Sequence, residues 1–314
     1  MAGVVPSKSS GLLPVAPSAA VAVRPEPPKG ASNYVILILD SCRFDSWIRA
    51  KPKVMSRLGE VEKRYSYATW TAPSHYNLLI GLLPHTSPPH VYASEYYKDD
   101  FLKFKERFRL PDMTFGAMVP SLWLPRYLQG IGYRTNMYVS MPVLNPETPI
   151  NAGFDTFELL DRHNDVSQAF EKMRFYADRP SFFVINTGET HYPYATPDEP
   201  ENHWPRISGV NGVFKHLDDH VLASTDAALR AGAVVRSEPF FDEAKMDLLH
   251  RRQVRAVEWV DRQVEMLFDL CPDNTYITIT ADHGELFGES GYFGHGPINH
   301  EKCVEVPFVE GRLR

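Results

Sequence analysis

Six consecutive apolar residues, Tyr34-Val35-Ile36-Leu37-Ile38-Leu39, run without interruption into Asp40. Side chains of a strand alternate between faces, so a run apolar at every position needs cover on both sides. That predicts a central strand of a mainly parallel sheet. Asp40-Ser41-Cys42-Arg43 stands at the carboxyl end of the strand, where open α/β sheets place their ligands. Comparable strands are expected at Tyr133–Val139, at Phe182–Asn186 between Pro180 and Gly188, and at Tyr276–Thr280. Leu122 to Gly130 reads as a helix that ends at glycine. Residues 245–270 read as a longer helix, with Leu249, Val257, Val260, Val264 and Leu267 on one face. Asn77–Ile80 falls on a helix that follows Pro73. Strands alternating with helices predict an α/β fold, a central mainly parallel sheet flanked by helices on both faces.

Residues 1–30 are rich in Pro, Ala, Ser and Val without a helical or strand period, and are expected to form a disordered tail. Pro14 and Pro17 interrupt the one run that resembles a signal-peptide core, so a cytoplasmic protein is expected rather than a secreted or periplasmic one. Residues 31–314 are expected to form one catalytic domain, with an irregular insertion over about 195–240. The chain has 314 residues, 43% of them hydrophobic, enough to bury a substantial core. A net charge of −6 argues against a nucleic-acid partner. No run approaches the roughly 18 apolar residues of a membrane span. Cys42, Cys271 and Cys303 lie far apart, which suits a reducing compartment without a disulfide framework.

Three of the strands end in polar groups: Asp40, then Thr187 to His191, then Asp282-His283. Asp282-His283 offers an oxygen and a nitrogen to a divalent cation, a combination that suits Zn²⁺ or Mn²⁺. As an isolated pair it would more often be a helix cap beside a surface histidine. Gly284-Glu285 and the glycine-rich Gly288–Gly296 segment favour a ligand site, because such a loop lets backbone approach an anion. Asp40 then becomes a third ligand. In Thr69-Trp70-Thr71-Ala72-Pro73-Ser74-His75, Pro73 marks a helix start. Thr71, just before it, sits in the positive field of that helix and is a candidate nucleophile. A plain helix cap is its alternative reading.

These residues carry a resemblance. Leu39-Asp40-Ser41-Cys42-Arg43-Phe44-Asp45 resembles the opening metal motif of the sulfatase family in the alkaline phosphatase superfamily. Trp70-Thr71-Ala72-Pro73-Ser74-His75 is similar to its nucleophile signature, and Leu79 to His85 to the helix that trails it. Leu128 to Thr135 and Gly153 to Phe157 are similar to its middle segments. Asp282-His283-Gly284-Glu285, Gly294-His295-Gly296 and Val306-Pro307-Phe308 resemble its closing motif. The resemblance runs from about residue 33 to about residue 309 and implies the fold just described.

The departures are specific. Sulfatases carry Cys-x-Pro-x-Arg, whose cysteine becomes formylglycine; here Thr71 and His75 stand at the two ends of that motif. Threonine cannot give formylglycine. A threonine nucleophile resembles the phosphodiesterase and phosphoethanolamine transferase branches instead. Ser41 stands where a second acid is usual, so one metal is implied rather than two: Zn or Mn, with Ca or Mg as alternatives. The resemblance implies Asp40, Thr71, Asp282 and His283 as its ligands. It implies His191 and His295 as groups that hold the substrate anion. Arg43, His75 and Glu189 are further candidates for substrate binding, with an ion pair as the alternative for Arg43. The expected activity is hydrolysis or transfer of a small anionic phosphate ester. A sulfate-ester hydrolase without formylglycine and a catalytically idle binding protein are the competing readings.

Overall fold

The computed structural model describes residues 24–87, 103–118, 122–205 and 243–313. Its centre is a seven-stranded sheet in the order β2-β9-β6-β1-β5-β3-β4. The strands are β1 (Asn33–Leu39), β2 (Glu62–Tyr65), β3 (Arg134–Val139), β4 (Thr156–Leu159), β5 (Ser181–Thr187), β6 (Thr275–Thr280) and β9 (Glu305–Arg312), with a small separate ribbon of β7 (Leu286–Phe287) and β8 (Phe293–Gly294). β1 pairs in parallel with β5 on one side and β6 on the other, and β3 and β4 continue the parallel order. β9 alone runs against its neighbours β6 and β2.

Every residue of β1 is buried. Val35, Leu37 and Leu39 face one core, with Trp47 of α1 (Phe44–Ala50) and Val257, Val260, Val264 and Leu267 of the long helix Glu243–Leu270. Tyr34, Ile36 and Ile38 face the other, with Leu78 and Leu79 of α2 (Thr71–Leu79) and Leu124 and Leu128 of α3 (Leu124–Gly130). The period-two alternation of β1 therefore splits its apolar residues between two helical layers. The long helix, α4 below, keeps the expected apolar face. Among the described residues no helix is long and apolar enough to cross a membrane.

Several details differ from expectation. β2, β4 and β9 were not anticipated as strands. β9 contains Pro307, which occupies a position paired only on its β2 side with Lys63. α2 starts at Thr71 itself, after an extended Trp70 that makes no side-chain cap. Pro73 fits inside this first turn because the N–H it lacks has no partner there. Residues 24–30, expected in a disordered tail, instead lie on the fold. Arg24 pairs with Asp155, and Arg179 Nη1 donates 2.7 Å to Pro25 O. The chain approaches so closely that a Cβ on Gly132 (φ +97°) would meet Pro25 O at 2.5 Å. Residues 1–23 lie outside the described residues, as does 206–242, most of the expected insertion.

Leu37→Ala should destabilise the domain by about 2–5 kcal/mol, since a fully buried side chain leaves a cavity. Ile48→Ala, at a position 46% exposed, should stay within about 0.5 kcal/mol. Urea unfolding midpoints of the two variants test the difference.

Candidate metal centre

The register places Leu39 beside Thr187 and Ile38 beside Thr280, so the carboxyl ends of β1, β5 and β6 form one ledge. Asp40 leaves the first strand, and Asp282 and His283 follow the third. All three are essentially inaccessible, and each can bring a donor atom within 4.8 Å of the others. Thr71 enters the same space from the first position of α2. Its Oγ1 lies 3.3 Å from His283 Nε2 and 3.5 Å from Asp40 Oδ1.

The surrounding hydrogen bonds fix the lone pairs that remain. His283 Nδ1 lies 2.8 Å from Gly284 O, a donor's position, which leaves Nε2 as the unprotonated nitrogen. That Nε2 is 3.4 Å from Asp282 Oδ2 and 3.8 Å from Asp40 Oδ1. Asp282 Oδ1 accepts from the backbone N–H of Ser41 (3.1 Å) and of His283 (2.9 Å). Its Oδ2 is buried with no hydrogen-bond partner among the described residues. Asp40 Oδ2 accepts from Asn186 Nδ2 at 2.8 Å, and Oδ1 from Ser41 Oγ at 3.0 Å.

Burial drives the Asp282 carboxyl well above the ordinary range, and the charge on Asp40 adds to the rise. For Asp40 burial also opposes ionisation, but His191, His283, His75 and the Asn186 amide outweigh it and hold the group low. Burial brings His283 down to about 3. Two dry carboxylates, one orphaned oxygen and one imidazole lone pair converging on a point make a hard donor set that fits a divalent cation.

Around this cup the sequence candidates divide. His295 and His191 stand beside it, with the His295 ring centroid 4.2 Å from that of His283 and 5.1 Å from that of His191. His295 Nδ1 meets Glu285 Oε1 at 3.2 Å, and the Tyr194 hydroxyl donates to the other oxygen of Glu285. Three expected substrate-binding groups face elsewhere. Arg43 is 3% exposed and spends its guanidinium on Asp45 (2.8 Å from Nε) and Glu289 (2.6 Å from Nη1), because a buried cation needs carboxylate partners. Glu189 accepts from Val166 N at 2.7 Å and from the Thr187 hydroxyl, shaping the loop after β5. His75 lies behind the cup: its Nδ1 is 2.8 Å from Thr71 O and 3.6 Å from Asp282 Oδ2.

Asn186, Ser41, Glu285 and Gln253 also shape the site, and none was among the sequence candidates. Asn186 was signalled by a polar residue near the end of an apolar strand. Gln253 was signalled by an amide on the apolar face of α4, four residues after Leu249 and four before Val257. Nothing in the local sequence marks Ser41 as a backbone donor, because the feature that makes it one is its left-handed φ of 61°.

A mainly parallel α/β sheet thus carries an acid–acid–histidine cup on its carboxyl edge. The Sulfatase family model matches residues 32–309, and the chain belongs to that family. It is 24% identical over 159 residues to the Escherichia coli K12 protein described as uncharacterized sulfatase YidJ, covering 49% of this chain and 31% of the relative. The chain thus spans about a third or less of the length of the curated relatives it matches. Among solved structures it resembles the C-terminal periplasmic domain of EcEptC from Escherichia coli, with TM-score 0.51 and 11% identity over 93% of this chain and 77% of that one. The same domain in complex with Zn matches at TM-score 0.50 and 12% identity, with the same coverage. A 2-O GAG sulfatase matches at TM-score 0.50 and 13% identity over 90% of this chain and 64% of that one. At such identities the likeness is one of fold.

Two outcomes follow from the electrostatics. Asp282→Asn removes a buried carboxyl whose ionisation is opposed by burial and by Asp40, so it should raise the melting temperature of chelator-treated protein, and it should weaken metal binding by about tenfold or more because a ligand oxygen loses its charge. Burial lifts Glu189 from its ordinary 4.5 to about 8. For an acid raised on folding, the favourable contribution is complete below the unfolded value and is lost as pH climbs through the folded one. Glu189→Gln should therefore flatten the decline in unfolding free energy between pH about 5 and about 8.5, measured by urea titration at several pH values.

Proposed function

We propose that the chain is a metal-dependent hydrolase or transferase of phosphate esters that works through a covalent intermediate on Thr71. The observation that carries this reading is the Thr71 hydroxyl, 3.3 Å from His283 Nε2 and 3.5 Å from Asp40 Oδ1 at the first residue of α2. Asp40, Asp282 and His283 would hold one divalent cation, Zn or Mn, with the Thr71 oxygen beside it. When bound, that cation supplies positive charge that favours the alkoxide and offsets negative charge on the phosphoryl oxygens.

The chain's own groups supply the rest. The N-terminal end of α2 adds a favourable field at Thr71 Oγ1. Thr71 Oγ1 loses its proton to water and bonds to phosphorus while the opposite ester P–O bond breaks. Burial brings His295 down to about 3; the negative charge of a bound ester would favour its protonated form, in which both ring nitrogens donate. With Nδ1 against Glu285, its Nε2 is the nitrogen left for an incoming anion. His191 and His295 steady the equatorial oxygens, and one of them gives a proton to the leaving oxygen. Water or another alcohol then releases the group from Thr71, which distinguishes hydrolase from transferase.

Sulfate-ester hydrolysis is the second reading. Membership of the sulfatase family favours it, and the two ester anions are similar tetrahedra. Against it stands a threonine where formylglycine chemistry requires cysteine. Thr71→Ala should lower kcat on an aryl phosphate by at least about a thousandfold with an unchanged circular dichroism spectrum. Retained turnover in that variant would exclude the covalent route. Aryl phosphate, bis-aryl phosphate and aryl sulfate assayed in parallel rank the substrates; preference for the sulfate would reverse the choice. No turnover of any ester by metal-loaded protein would favour a binding protein.

A further inference from the structure

Gln253 is fully buried on the apolar face of α4, and its whole carboxamide is engaged. Nε2 donates to Ser41 O and to Thr190 O, each at 2.9 Å. Oε1 accepts from Ser46 Oγ at 2.6 Å and from Arg43 N at 3.4 Å. One side chain therefore ties the loop after β1 to the loop after β5, and anchors both on the helix behind them.

Both tied residues act on the cup. Ser41 holds a left-handed φ of 61°, which a residue with a Cβ adopts only when its surroundings impose it. In that conformation its N–H reaches Asp282 Oδ1 at 3.1 Å and its hydroxyl reaches Asp40 Oδ1 at 3.0 Å. The Thr190 hydroxyl donates to Asp40 O at 2.7 Å, and Thr190 directly precedes His191. We propose that Gln253 is a positioning residue for the metal cup: it sets the spacing of Asp40 and Asp282 through Ser41, and the place of His191 through Thr190. The assignment rests on the metal-dependent reading. Substitution by an apolar side chain leaves two buried carbonyls without donors and frees Ser41 to leave its left-handed conformation. Glutamate keeps the shape but, ionised, donates to neither carbonyl.

The test uses the full chain, with Zn²⁺ affinity measured by chelator competition and with kcat and KM measured on an aryl phosphate below the melting transition. Gln253→Met and Gln253→Glu should each weaken Zn²⁺ binding by about 10- to 100-fold. Each should lower kcat by a similar factor while KM stays within about threefold. Gln253→Asn, which keeps the amide but shortens its reach, should show the same metal loss and serves if the other two fail to fold. Ser46→Ala, which removes only the anchor on α1, should leave affinity and kcat unchanged. Gln253 variants that melt earlier yet bind Zn²⁺ and turn over like wild type would reduce the residue to packing and overturn the assignment. Wild-type protein that binds no Zn²⁺ would overturn the metal reading and this assignment with it; equal binding by wild type and variants would overturn the assignment alone.

Discussion

Two carboxylates, Asp40 and Asp282, are held together in a space that water does not reach. Like charges at such range in a dry interior repel strongly, and the carboxyl of Asp282 is accordingly driven well above its usual value. A fold gains nothing from this pairing on its own. It becomes favourable once a cation enters, because one multivalent charge then offsets both carboxylates. The orphaned Oδ2 of Asp282 and the unprotonated Nε2 of His283 are the atoms such a cation would meet.

The rest of the fold delivers these groups and stiffens them. Three adjacent parallel strands end at one level, so residues hundreds of positions apart meet without long loops. Their backbone polar groups are used up in the sheet, and their side chains are locked between two apolar layers. The cup therefore stands on rigid strand ends while the Thr71 hydroxyl comes from a helix start. Arg43 and Glu189, polar and close in sequence to the site, are consumed in holding its walls.

Much of this was legible in the chain. The apolar runs of β1, β5 and β6 announced a doubly covered parallel sheet, and the polar residues at their ends announced the site. Two strands on one side of the sheet were not legible: β2, at the edge, reads Glu-Lys-Arg-Tyr, and β9, its inner neighbour, carries both a proline and a glycine. Such strands are fixed by pairing with a distant partner rather than by local pattern. The meeting of Asp40, Asp282 and His283 was readable because strand ends are collinear with sequence motifs. The assignments of Arg43, His75 and Glu189 were not, because sequence proximity to a site says nothing about which way a side chain turns. Ion-pair partners such as Glu289, 246 residues from Arg43, decide that.

Crystals equilibrated with Zn²⁺ and, separately, with Mn²⁺, with anomalous difference maps recorded at each edge, test the central claim most directly. A single peak is expected, at about 2.0–2.2 Å from carboxylate oxygens of Asp40 and Asp282 and from His283 Nε2, with the Thr71 hydroxyl oxygen turned toward it. A map without a peak between those side chains, or with the Thr71 oxygen well outside bonding reach of the ion, would contradict it.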